Sequence, residues 1–269
     1  MPTDHNDNIL DTTQRSLDIV DFIQDQDGAT MADITDELDL VKSTTYKHLQ
    51  TLRHNGYVVK EGEQYHIGLK FYNLGGYARS RKKQHKLAIE TTRELANETR
   101  EEVDMVVEND GRGLILEESY HPEHRYAASD GGMGNQEYHS GTYYHLHCTA
   151  SGKALLATMS KERVNEIVDR WGLPRRTENT ITSKTELFDE LEDIKQRGFA
   201  YSDEEAVEGL RAVGHRVKGV SGNTICAISL FGPSYRMTDT RFRKEIPKIL
   251  RSSVETLEEK ILNEMTSNY

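Results

Sequence analysis

Cysteine is scarce in this chain: two residues in 269, Cys148 and Cys226. They lie far apart and neither belongs to a CxxC pair, so no disulfide framework can be drawn. Both sit in half-buried, strand-like segments, where free cysteine serves as packing or pocket lining. Long hydrophobic runs are missing too. No stretch approaches the roughly 18 apolar residues of a membrane span. The opening MPTDHNDN is too acidic and polar for a secretory signal. A cytoplasmic chain with no membrane partner is expected. Basic charge is also short, 34 Lys and Arg against 45 Asp and Glu, for a net charge of −11. As a sum this speaks against a nucleic-acid partner, because phosphate repels an acidic surface.

The distribution reverses that reading. Residues 1–40 carry many Asp and a single basic residue, Arg15. Residues 41–60 carry Lys42, Lys47, Arg53 and Lys60 and no acid at all. A second basic run, Arg79, Arg81, Lys82, Lys83 and Lys86, follows. The charge therefore separates into an acidic body and a local basic face. An acid surplus of this kind also suits a salt-rich cytoplasm, such as that of a salt-adapted archaeon, where DNA affinity has to survive screening.

The basic segment lies in a readable pattern. In DTTQRSLDIVDFIQDQ, Leu17, Val20 and Phe22/Ile23 recur at helical spacing, with Asp11 or Thr12 as the cap and Asp27-Gly28 as the stop. TMADITDELDL follows, with Thr30 as cap and Ile34 and Leu38 four apart. After a break at Leu40-Val41-Lys42, STTYKHLQTLRHNG starts on a Ser43 cap and stops at Asn55-Gly56. With Leu49 and Leu52 turned inward, Thr44, Lys47, His48 and Thr51 face out. YVVKEGEQYHIG then reads as strand, Glu61-Gly62-Glu63 turn, strand. Three helices and a hairpin in about 60 residues make a winged helix-turn-helix. Its expected DNA contacts are Lys42, Ser43, Thr44, Thr45, Tyr46, Lys47, Arg53 and Lys60. Helix N-termini and hydroxyls hold phosphate, side chains one turn in reach base edges, and Lys60 lies on the wing.

A helix leaving the wing near Leu69 carries Phe71, Tyr72 and Leu74, which either form a dimer contact or pack on their own domain. The basic run after it is either a DNA-backbone contact or a solvated linker. The rest alternates in type. A helix over 86–99 is followed by strands VDMVVEND and RGLILEESY around Asp110-Gly111. Residues 121–141, with His121, His124, Gly131, Gly132 and Gly134, read as irregular loop. Helices follow at 151–159, 161–171 and 184–197. Strands come near 198–201 and at 213–218 and 224–231, and a helix from about 239 closes the chain. This is an α+β pattern with a mostly antiparallel sheet. At His147-Cys148-Thr149-Ala150-Ser151-Gly152-Lys153 a strand ends in small residues and opens a helix. Small side chains admit a ligand to the backbone, and N–H groups at a helix start favour an anion. The competing reading is that Thr149 only caps the helix. Lys153 is followed by Ala154 and the upstream glycine is missing, so this is no P-loop.

Together these segments resemble one family. ITDELDLVKSTTYKHLQTLRHNGYVVKEGEQYHIGLKFYNLG is similar to the DNA-binding half of the IclR transcriptional regulators. LHCTASGKALLATMS, RRTENTIT, RGFAYSDEEAVEGLRAVGHRV and ICAISLFGPSYRMTD resemble the effector half. The resemblance implies a winged helix-turn-helix over 8–68, a linker helix over 69–86 and a GAF/profilin-like α/β effector domain over 87–265. It implies double-stranded operator DNA, a small-molecule effector, no cofactor, and homodimers that pair into tetramers. Carried over by position, the effector contacts are Thr149, Ala150, Ser151, Gly152, Ser202, Leu210, Ala212 and Ser229. Members that bind small keto acids have Asp where this chain has Ser202 and Cys where it has Ala212, and Phe231 replaces a small polar residue. That points away from a two- or three-carbon acid and toward a sugar, sugar-acid or aromatic-acid effector for a catabolic pathway, under repression or activation. Two rivals stand beside this reading. An enzyme would use the run Asp203-Glu204-Glu205, but no base–nucleophile pair accompanies it. A metal-responsive regulator would use His139, His145, His147 and Cys148, with His145 and His147 on one face of a strand.

Overall fold

In the computed structural model, residues 9–121 and 139–266 are described. His124, Gly131, Gly132 and Gly134 of the expected loop lie outside them. The chain divides into two compact units, 1–81 and 82–269.

In the first unit, α1 (Asp11–Asp25) buries Ile19, Val20 and Ile23. The apolar stripe is rotated from the expected one, since Leu17 is 51% exposed. Neither Asp11 nor Thr12 caps α1; its N-cap is Leu10, with no side-chain bond. β1 (Ala29–Thr30) leads into α2 (Met31–Glu37), where Thr30 and Asp33 form a reciprocal capping box. α3 (Lys42–His54) follows and ends where the sequence places its stop. Gly56 takes φ +78°, a left-handed value that costs a side chain. It thereby lets Tyr57 N–H reach Leu52 C=O and Gly56 N–H reach Arg53 C=O. The wing, β2 (Val58–Glu61) and β3 (Gln64–Ile67), pairs Glu61 with Gln64 around its tight turn. A third strand escaped sequence reading: β1 pairs with β3 through Ala29–Tyr65. Ile19, Ile23, Ile34, Leu49, Val58 and Tyr65 form one core.

The expected helix over 69–86 is two helices. α4 (Lys70–Ser80) ends the first unit, and α5 (Lys83–Thr99) opens the second. Phe71 packs on its own unit, 5.1 Å from the Tyr57 ring, whereas Tyr72 is 83% exposed.

The second unit is built on an antiparallel sheet. β4 (Glu102–Asn109) and β5 (Arg112–Ser119) join through Asp110-Gly111, and β6 (Tyr143–Tyr144) pairs with β5. A 3₁₀ turn over Leu146–Cys148 then leads into α6 (Ala150–Leu156), α7 (Lys161–Trp171) and α8 (Lys184–Arg197). β7 (Ala200–Asp203), β8 (Leu210–Lys218) and β9 (Thr224–Pro233) complete the order β6-β5-β4-β9-β8-β7. A π turn over Arg241–Glu245 opens α9 (Ile246–Thr266). α6 is shorter than the expected 151–159, and β8 begins three residues before the expected 213. Side chains alternate across a strand. One face of the sheet therefore gives Val103, Met105, Val213, Ile228 and Leu230 to a core with α5 and α9. The other gives Val106, Ile115, Ala200 and Ala227 to a core with α6, α7 and α8.

Candidate functional site

On α3, burial splits the predicted DNA contacts. Lys42, Ser43, Tyr46, Lys47 and Arg53 are exposed, Thr44 is half-buried, and Lys60 is exposed on β2. Thr45 is the correction: it is fully buried, and its hydroxyl bonds Val41 C=O and Thr35. His48 does not face out either. It is buried and shares a 2.7 Å hydrogen bond with Ser16. Thr45 lies four positions before Leu49 and three before His48, so all three share the buried stripe of α3. Ser43 does not cap α3; the N-cap is Val41, which has no side-chain bond to offer. The first N–H groups of the helix are left without a side-chain acceptor, beside an exposed hydroxyl. Lys60 stands 3.6 Å from Glu63.

In the second unit, strand parity assembles the predicted effector residues. Ser202 pairs with Ala212, Ala212 with Phe231, and Gly214 with Ser229. Leu210 shares the parity of Ala212, so all of them lie on the α6 face. α6 itself sits so close that a Cβ on Gly214 would stand 2.5 Å from Ala150 C and O. Only glycine permits that approach. The loop is tied down by its own polar groups. Thr149 caps α6, accepting from Gly152 N–H at 3.1 Å, which is the competing role considered above. Ser151 bonds the Tyr144 hydroxyl at 2.6 Å, and Ser202 donates to Cys148 C=O at 3.1 Å. The segment before α6 is a 3₁₀ turn rather than a strand end.

Three partners on this face were missed in the sequence. Tyr144 is one. Asp104 is the second: it lies opposite Ser229 across β4–β9 and accepts the Ser229 hydroxyl at 2.5 Å. Burial pushes its carboxyl up to about 7, against the pull of Ser229. An acid at an α6-facing strand position was the available signal. The third is Lys153. It is 1% exposed, yet its ammonium lies 2.6 and 2.7 Å from the Glu205 carboxylate and 3.4 Å from Glu190. Burial pushes Glu205 up, and the Lys153 charge opposes it. The acidic run is thus structural throughout. Asp203 binds Arg211 at 2.7 Å, Glu204 accepts Gly209 N–H at 2.8 Å, and Glu205 holds Lys153. The RRTENTIT segment supports it, with the Thr177 hydroxyl donating to Glu204 C=O and the Thr180 hydroxyl to Glu205 C=O.

The metal reading finds no geometry to support it. His145 precedes a 3₁₀ turn and His147 lies within it, not on a strand face, with rings 5.7 Å apart. His147 bonds Pro174 C=O, and His139 bonds Ser140 C=O. Among the described residues no three His, Cys, Asp or Glu side chains converge on a metal site. Burial pushes the Cys148 thiol up to about 12 and Cys226 further still, so neither is a ready thiolate.

Family models match both units: "IclR helix-turn-helix domain" over residues 12–62 and "Bacterial transcriptional regulator IclR C-terminal" over 80–259. The chain belongs to the IclR family of transcriptional regulators. It is 30% identical to the HTH-type transcriptional regulator KdgR of Escherichia coli over 80% of both chains. It is 29% identical to a probable HTH-type transcriptional regulator ArcR of Halobacterium salinarum over 90% of both. The Thermotoga maritima IclR structure matches with a TM-score of 0.71 at 24% identity, covering 93% of this chain and 98% of that one. The IclR chain described here is therefore a DNA-binding transcription regulator with a C-terminal effector-binding domain, and its relatives are regulators rather than enzymes. No described helix is long and apolar enough to cross a membrane.

Proposed function

We propose that this regulator acts in the cytoplasm as a homodimer, or a pair of dimers. Each α3 enters a major-groove segment of a near-palindromic operator. Lys42, Ser43, Thr44, Tyr46, Lys47 and Arg53 meet DNA there, and Lys60 meets phosphate from the wing. The carrying observation is the split on α3, an acid-free helix whose buried stripe leaves Tyr46 and Lys47 exposed one turn from an uncapped N-terminus. The exposed Leu69, Tyr72 and Tyr77 around α4 supply apolar surface for the dimer. Acid excess and a relative in Halobacterium salinarum support a salt-rich setting.

The effector site is the α6 face at Thr149, Ala150, Ser151 and Gly152, floored by Ser202, Leu210, Ala212 and Ser229. Their shared parity supports the grouping. The Thr149, Ser151 and Ser202 hydroxyls are occupied internally, so the effector works by exchanging those bonds. Operator affinity shifts as far as the ligand discriminates the two arrangements. Among a sugar, a sugar acid and an aromatic acid as effectors for a catabolic pathway, the 3-hydroxybenzoic acid complex of a PobR inducer-binding domain from Acinetobacter supports the aromatic acid. Genome-wide mapping of binding sites, followed by thermal-shift screening of metabolites from the neighbouring pathway, tests this. Sites beside catabolic operons and a metabolite that shifts both melting and operator affinity are expected. Absence of discrete sites would refute the operator reading.

A further inference from the structure

On the sheet face opposite α6, the edge strand β7 and the start of α9 enclose a second cleft of about 440 Å³. Five cations line it, Arg197, Arg243, Lys244, Lys248 and Arg251, against one acid, Glu255. That runs counter to a chain with 45 acids and 34 bases. Lys244, Lys248 and Arg251 recur four and three positions apart, so one helical face presents all three. Outlying carboxylates neutralise the group only in part. Arg197 pairs with Glu190 at 2.6 Å, and Arg243 reaches Asp203 at 3.5 Å. Among the described residues Lys244, Lys248 and Arg251 have no carboxylate within 4.0 Å. Like charges gathered this closely repel each other and favour a bound anion.

The aromatic rings define what kind of anion. Tyr201 has the Arg197 guanidinium 5.0 Å from its centroid and the Arg243 guanidinium at 4.5 Å. Arg251 lies 4.7 Å over Phe199. The guanidinium groups already occupy these rings, so a base or an aromatic acid gains little by stacking. Arg197 already donates through Nε to Phe199 C=O and through an Nη to Glu190, so the edges pre-set as donors for oxyanions are chiefly those of Arg243 and Arg251. A neighbouring opening of about 410 Å³ shares Arg197 and Arg251 and adds Lys195, Arg216 and Lys218. We infer that this cleft is a second ligand site, for a small molecule bearing several linked phosphates. One carboxylate would leave most of the charge unmatched, and the volume fits a small ligand. β7 links the two faces: Tyr201 lines this cleft, and the adjacent Ser202 bonds the effector loop at Cys148.

The test is calorimetric titration of the full chain with tripolyphosphate, pyrophosphate and sulfate at equal ionic strength. Saturable binding, tightening from sulfate to pyrophosphate to tripolyphosphate, is expected. Lys248→Glu with Arg251→Glu should weaken tripolyphosphate at least tenfold while retaining the parent's melting temperature. Lys42→Glu with Lys47→Glu should leave it unchanged. Equal affinity for sulfate and tripolyphosphate, or loss of binding in the α3 variant in place of the α9 variant, would overturn the assignment. So would a preference for an oligoglutamate peptide. If the double reversal unfolds, Lys244→Gln carries the same expectation at about a threefold loss.

Discussion

Lys47 and Lys153 are the same residue in two opposite settings. Lys47 stands exposed on α3, with no carboxylate partner among the described residues. Lys153, on α6, lies sealed between Glu205 and Glu190. The contrast extends to the two regions. On α3 the Lys42, Ser43, Tyr46, Lys47 and Arg53 side chains are exposed and have no hydrogen-bond or ion-pair partner among the described residues, so the proposed DNA-reading surface needs no internal bond broken. Around α6 the Ser151, Thr149, Lys153 and Ser202 side chains all have internal partners, so the proposed effector site holds itself together and, on that proposal, responds by exchanging bonds. A buried ion pair of this kind gains little net stability, but breaking it is costly.

The largest test of that contrast is Lys153→Ala. It strands Glu205 in the interior beside Glu190, and about 3–5 kcal/mol of stability should be lost. Trp171, the one tryptophan of the chain, reports the second unit during urea unfolding. An unchanged midpoint would mean the buried pair has no structural role.

Asp104→Asn comes next. The folded carboxyl stands at about 7, above its ordinary 3.8. It therefore holds a proton more tightly when folded, and between these values the parent loses stability as pH rises, by up to about 1.4 kcal/mol per pH unit. His147, pushed down to about 4 by burial, acts in the opposite direction. The difference between parent and variant isolates Asp104. The variant should gain on the parent steadily from about pH 4 to about pH 7. Parallel pH–stability curves would place Asp104 outside that buried setting.

Lys47→Ala should weaken operator binding by about 1–3 kcal/mol and leave unfolding unchanged. Fluorescence anisotropy on a mapped operator measures it, and full affinity would remove α3 from the groove. The smallest effect is Thr45→Val. Operator affinity should stay constant, while stability falls by about 1 kcal/mol as the buried hydroxyl bonds are lost. A drop in affinity without a drop in stability would return Thr45 to the DNA face.

Much of the first unit was legible because its signals are local. Thr30 and Asp33 lie one turn apart, and Asn55-Gly56 ends a helix wherever it folds. The split within α3 was less legible. Lys47 and His48 are adjacent and both polar, and only packing against Ser16 turns one of them inward. In the second unit the elements were readable but their partners were not. Thr149 carries both a capping signal and a ligand signal, and the structure shows the cap in place.

The three helices and wing of the first unit, the acid-free α3 and most of the later helices and strands were determined by the sequence alone, because hydrogen bonds between near neighbours and the period of apolar residues set them; β1, the break between α4 and α5 and the 3₁₀ turn before α6 were not. Tertiary structure decided that Lys153 meets Glu205, that Asp104 meets Ser229, and that Gly214 admits α6 against the sheet. Those outcomes depend on sheet register and on desolvation by distant segments, which no local window of residues contains.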